Sequence, residues 1–215
     1  MYAPSHFNES RTEVLHEFLA RHPLALLVAT SANGLQANHV PLMLEPGNGG
    51  HGTLKGHIAR GNSMWKDVPA GAEVLAVFQG PSQYISPNWY PSKREHGRVV
   101  PTWNYAVVHV HGRITWIQDK AWLRTLVETL TDRHESGQAA PWRVSDAPDE
   151  YIQQMLGAIV GFEIAITRMT GKWKLSQNRT PAERAGVVAA LSAQPDDASR
   201  EMASLIERAG KPNGG

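Results

Sequence analysis

The stretch VVPTWNYAVVHVHGRITWI (99–117) holds the strongest strand pattern of the chain. From Tyr105 to Ile117, β-branched and aromatic residues dominate and no turn dipeptide interrupts them, which predicts one long strand over 105–117. Its lead-in is unusual. Pro101, Thr102, Trp103 and Asn104 put a hydroxyl, an indole and a carboxamide where a buried strand has no use for them. Such a lead-in suits a wall beside something flat and polar.

Outward from this segment, more short strands are expected. PLALLVAT (23–30) is an apolar run, and SANG (31–34) turns it into LQANHVPLML (35–44) as a hairpin. Pro41 cannot donate to a ladder, so the second strand should be at an edge or bulged there. EPGNGGHG (45–52) reads as a loop. TLKGHI (53–58) alternates, with Thr53, Lys55 and His57 on one face, and ARGNSMW (59–65) starts a short helix or turn. AEVLAVFQG (72–80) and AIVGFEIAITRM (158–169) are further strands, and MTGKWKLSQN (169–178) a turn into another short one. Residues 80–97, with three prolines and no period, read as a long loop.

Helices are expected over about 10–21 after the Ser10–Glu13 capping box, from Asp119 with a Trp122-Leu123-Leu126-Val127-Leu130 stripe, and from Asp146 with Pro148. The chain from about 181 should be helical or loose, and KPNGG (211–215) disordered. The fold class is mainly β (α+β): six or seven mostly antiparallel strands in a split β-barrel, closed or nearly so, with peripheral helices.

Composition narrows the function. The 215 residues suit one substantial domain with an appendage, and 41% hydrophobic with 19% charged residues is ordinary for a soluble globular chain. Lys+Arg 21 against Asp+Glu 20 argues against a broad surface for nucleic acid or anionic membrane. With no cysteine, thiolate catalysis and disulfides are excluded. The first residues lack a signal-peptide pattern and no apolar run is long enough to span a membrane, so a cytoplasmic location is expected. No nucleophile elbow, dinucleotide-binding fingerprint or phosphate-binding P-loop is present. His109 and His111 share a strand face at a spacing that can bind zinc, but they sit among valines without an acidic companion. They read as ordinary strand histidines, and no metal site is expected.

The remaining chemistry is scattered. Lys55, His57, Arg60 and Asn62 fall within eight residues and offer donors for a phosphate. Asn38 and His39 lie on a strand that a hairpin or barrel could bring alongside. Trp103 with Asn104, and Lys174, Gln177 and Asn178 beside Trp173, offer a stacking surface with donors and acceptors. A phosphate-bearing heteroaromatic ring would use all of these, and FMN has that form.

The blocks GLQANHVPLML, GTLKGHIARGNSMW, FQGPSQYISPNWYPSK, VVPTWNYAVVHVHG, LTDRHE, PWRVSDAP and IVGFEIAITRMTGKWKLSQN resemble, in order, those of the PaiB-like FMN-binding negative transcriptional regulators. The resemblance covers about residues 1–191 and leaves 192–215 as a helical or disordered tail. It implies an FMN-binding split barrel of the pyridoxamine-phosphate-oxidase type, a homodimer with flavin near the interface, and a role in transcriptional repression. It also implies phosphate contacts at His57, Arg60 and Asn62 with Lys55 adjoining, Asn38 and His39 near the ring, and Trp103, Asn104, Lys174, Gln177 and Asn178 as further contacts. At Gly61-Asn62-Ser63 the chain departs from the family pattern, which has a proline after the asparagine.

Three functions follow as expectations. The first is a flavin-dependent redox or sensing protein, with a small-molecule substrate if the flavin is catalytic. The second is a direct DNA-binding repressor, for which SKREHGR (92–98) is the basic candidate and no reading element is visible. The third is a binder of another phosphorylated ring or of haem. No side chain stands out as a catalytic acid or base.

Overall fold

A computed structural model describes residues 1–47 and 50–209. The strands are β1 (Asn8–Glu9), β2 (Leu24–Ser31), β3 (Gly34–Pro41), β4 (Met43–Glu45), β5 (Thr53–Ala59), β6 (Glu73–Ile85), β7 (Thr102–Ile117) and β8 (Ile159–Lys174). The helices are α1 (Thr12–Arg21), α2 (Met64–Asp67), α3 (Ser92–His96), α4 (Lys120–Glu135), α5 (Asp149–Gly157), α6 (Pro181–Ser192) and α7 (Asp197–Ala209). The chain divides into two compact units. Unit one comprises Met1–Leu15, Gln79–Val108 and the chain from Thr170; unit two comprises His16–Phe78 and His109–Met169. β6, β7 and β8 run through both.

In unit two the strand order is β3-β2-β6-β7-β8-β5-β4, an open path with β3 and β4 at its ends rather than a closed ring. The β2–β3 hairpin pairs Ser31 with Gly34 and Leu24 with Pro41. Gly34 has φ +101°, a conformation that favours glycine and sets this tight turn. The single strand expected over 35–44 is divided at Leu42. Pro41 has no N–H to continue the ladder, and the Leu42 N–H donates instead to the Pro23 carbonyl at 2.8 Å. The chain then leaves β2 and, as β4, pairs Met43 with Lys55 of β5.

β5 alternates as expected: Leu54 and Ile58 are buried, whereas Thr53, Lys55 and His57 lie on the half-buried face. It pairs antiparallel with β8 from Thr53–Ala165 to Ala59–Ile159. In α4 the Asp119 Oδ1 accepts the Trp122 N–H at 2.8 Å, the expected cap. Leu123 of α4, Ile152 and Leu156 of α5, and Val144 form one apolar cluster against this unit's sheet side chain Ile159.

In unit one β1 pairs Asn8 and Glu9 with Lys172 and Gly171 of β8. This pairing explains why β8 is one strand to Lys174, where a turn was expected after Met169. The reversal comes later, at Ser176, whose φ is +61°. The predicted loop 80–97 is instead the second half of β6, a 3-10 turn at Pro87–Trp89, and α3. β7 already begins at Thr102, so the odd lead-in is itself strand. α6 starts at a capping box between Thr180 and Glu183 with Pro181 in its first turn. Val187 and Leu191 of α6 and Met202, Ala203 and Ile206 of α7 close a core with Ile85, Tyr90 and Leu175. Residues of the tail are thus core residues of this unit. The expected disorder of 211–215 lies outside the described residues.

Candidate functional site

The eleven expected site residues fall into two sets. Asn38, His39, Lys55, His57, Arg60 and Asn62 belong to unit two, and Trp103, Asn104, Lys174, Gln177 and Asn178 to unit one.

In unit two most of the donors are committed within the protein. Arg60, just after β5, donates from Nε to the Gly157 carbonyl at 2.7 Å and from its two terminal nitrogens to Ile159 O at 3.0 Å and Gln118 Oε1 at 2.8 Å. It therefore caps the end of α5, and two of its five N–H groups remain. The Lys55 ammonium lies 2.7 Å from Glu45 Oε2 and 3.6 Å from Glu163 Oε1, and the Glu45 contact raises its pKa. A phosphate beside Lys55 would meet these carboxylates. Asn62 Nδ2 donates to Asn38 Oδ1 at 2.8 Å, and Asn62 Oδ1 accepts the Met64 N–H at 3.0 Å. The two amides thus hold the start of α2 against β3. His39 follows Asn38 on β3 and so points to the opposite face, exposed; the two cannot serve one ligand from the same face. His57 has a buried Nδ1 without a hydrogen-bond partner among the described residues, and burial lowers its pKa. It is a neutral imidazole at neutral pH, a weaker phosphate partner than a cation.

In unit one Asn104 is buried and donates to Ser176 Oγ at 2.9 Å. This bond holds the left-handed Ser176. Gln177 turns back on its own loop, donating to Trp173 O at 2.6 Å and accepting the Leu175 N–H at 2.7 Å. Asn178 is exposed. Trp103 is 55% exposed and meets Tyr84, 45% exposed, edge to face with centroids 6.1 Å apart. Lys174 differs from Lys55: its ammonium donates to the Thr102 hydroxyl. Burial lowers its pKa; Tyr105 opposes this, and the neighbouring cations Lys172 and Arg179 add to it. Lys172 also stacks over Tyr105, 5.3 Å from the ring centroid.

Sequence reasoning did not single out Arg179 or Tyr84 as site residues. Their signal was weak, since each is an isolated residue whose role depends on strand pairing. Trp142, Glu135 and His134, which line one cavity with His57, were noted only as parts of family blocks.

The long antiparallel sheet with helices at its periphery defines a mainly β protein of split-barrel type. The chain belongs to the family described as "Putative FMN-binding domain", whose model matches residues 1–168. Among relatives, "Protease synthase and sporulation protein PAI 2" of Bacillus subtilis is 31% identical over 96% of this chain and 97% of its own length. An uncharacterized protein of Emericella nidulans is 29% identical over 98% of both chains. In structure, the chain is similar to the FAD and heme binding protein of Mycobacterium smegmatis, with a TM-score of 0.56 and 17% identity over 78% of this chain and 73% of that one.

Proposed function

We propose that the chain is an FMN-binding homodimer with a redox or sensing role, and that Lys174 provides an anion contact for the cofactor. Family membership supplies FMN, and the environment of Lys174 carries the assignment. FMN needs a cation for its anionic groups, a flat wall for its ring, and polar groups at the ring edge. Lys174 is a partly desolvated ammonium bonded to a neutral hydroxyl, with further cations nearby, so an anion would relieve its environment. Trp103 offers an exposed indole on the same unit, and Asn178 an exposed carboxamide. When bound, FMN supplies hydride or electron transfer, and the protein places it and tunes its charge.

The Bacillus subtilis relative is named for protease synthase and sporulation, and from that association we infer a regulatory output for the redox or sensing role. We place that output on a small molecule or protein partner rather than on direct DNA reading. The net charge of +1 provides little general attraction to phosphates. The basic candidate segment is the short α3, in which Lys93 Nζ is already bonded to Asn88 Oδ1.

The test is reconstitution with FMN, followed by absorbance and quenching of flavin fluorescence. Wild-type protein should bind, and Lys174→Met should weaken binding by about 1.5–3 kcal/mol, the range for a charge-assisted hydrogen bond. A wild-type protein that does not bind FMN ends the reading. Unchanged affinity in Lys174→Met removes Lys174 from the site.

A further inference from the structure

The end of β3, β5, α4 and the segment after α4 border an open cavity of about 330 Å³ in unit two. This volume is at the lower end for small-molecule pockets, the size of a single substituted ring. Pro41, Leu130 and Trp142 form apolar walls, and Trp142 is 45% exposed. His57, Thr131, His134 and Glu135 are the polar residues of the lining. Glu135 Oε2 accepts the Trp142 N–H at 3.0 Å. That contact ties the indole and the carboxylate to the same cavity. His57 lines the cavity as a residue, while its Nδ1 is buried away from solvent and has no hydrogen-bond partner among the described residues. No lysine or arginine lines the cavity among the described residues.

These groups select a ligand class. An aromatic wall attracts a flat ring and, through its π face, a cation. A carboxylate favours positive charge and N–H donors, and it repels phosphate or carboxylate. The neutral His57 can exchange a hydrogen bond with a ring substituent without adding positive charge. We propose that this cavity binds a small planar cation, an amidinium or protonated amine carried on an aromatic ring. The site is separate from the Lys174 assignment and does not rest on flavin binding.

Benzamidine is a suitable probe, with benzoate as the control of the same shape and opposite charge. Both would be titrated into the full chain by calorimetry, with the tryptophan indole N–H signals followed by NMR. Saturable benzamidine binding is expected, with no saturable binding of benzoate. Glu135→Gln keeps an acceptor for the Trp142 N–H but removes the charge, and should weaken benzamidine at least about tenfold. Trp142→Ala should weaken it similarly, with circular dichroism confirming the fold. Absence of saturable benzamidine binding, equal binding of benzoate, or wild-type affinity in Glu135→Gln would overturn the proposal.

Discussion

Single residues here are read best through what already occupies their polar atoms. Arg60 looked like a phosphate ligand because it follows a strand and precedes a polar turn. Three of its N–H groups cap the α5–β8 connection and the Gln118 side chain. Arg60→Ala should therefore cost about 2–3 kcal/mol of stability in urea unfolding. FMN affinity should change little once folded protein is compared. His57 gives a pH signature. Its folded pKa lies below the ordinary 6.5 because burial disfavours the charged form. The unfolded state then binds the proton more readily, so stability is highest above pH 6.5 and falls as pH drops through 6.5 toward the folded pKa. Urea midpoints measured across that window should fall less steeply in His57→Gln than in wild type. His109 and His111, also lowered mainly by burial, should leave a residual slope.

At the scale of elements, close backbone approaches and unusual turns set the tolerances. A Cβ on Gly112 of β7 would lie 2.5 Å from the Ala165 carbonyl oxygen of β8 and 2.5 Å from Ile164 Cγ2. Gly112→Ala should thus cost about 1–3 kcal/mol, read as a lower thermal or urea midpoint. Ser176 sits in the left-handed region and accepts the buried Asn104 amide. Ser176→Ala keeps the backbone but leaves that donor without its acceptor, at a cost of about 1–3 kcal/mol. The β3–β4 break belongs to this scale too. One proline lets a single run of sequence serve two different strand partners.

For the whole molecule, the expected assembly is a dimer. Sedimentation should give twice the 23.6 kDa chain mass. Trp103→Ala separates two jobs that its exposed indole could do. We expect FMN affinity to fall by about 0.5–1.5 kcal/mol, the scale of one aromatic contact, while the sedimented mass is retained. A shift to the monomer mass would instead place Trp103 in the seam between copies.

Much of the fold was legible because it depends on local pattern. The alternation in TLKGHI, the hairpin at SANG, the Asp119 cap and the long apolar run after Tyr105 all specify elements from neighbouring residues alone. Element ends were less legible. The extension of β6 to Ile85 and of β8 to Lys174 depends on pairing partners far away in the chain, which no local period records. The candidate site divided in the same way. The sequence by itself determined which chemistry was available: tryptophans beside lysines and amides, an ordered set of family motifs, and no cysteine. Only the tertiary structure decided which of those groups were free. Contacts are a matter of ångströms between distant segments, so only the structure shows Arg60, Lys55 and Gln177 engaged, Lys174 without a carboxylate on its ammonium among the described residues, and His57 lining a cavity with Glu135 and Trp142.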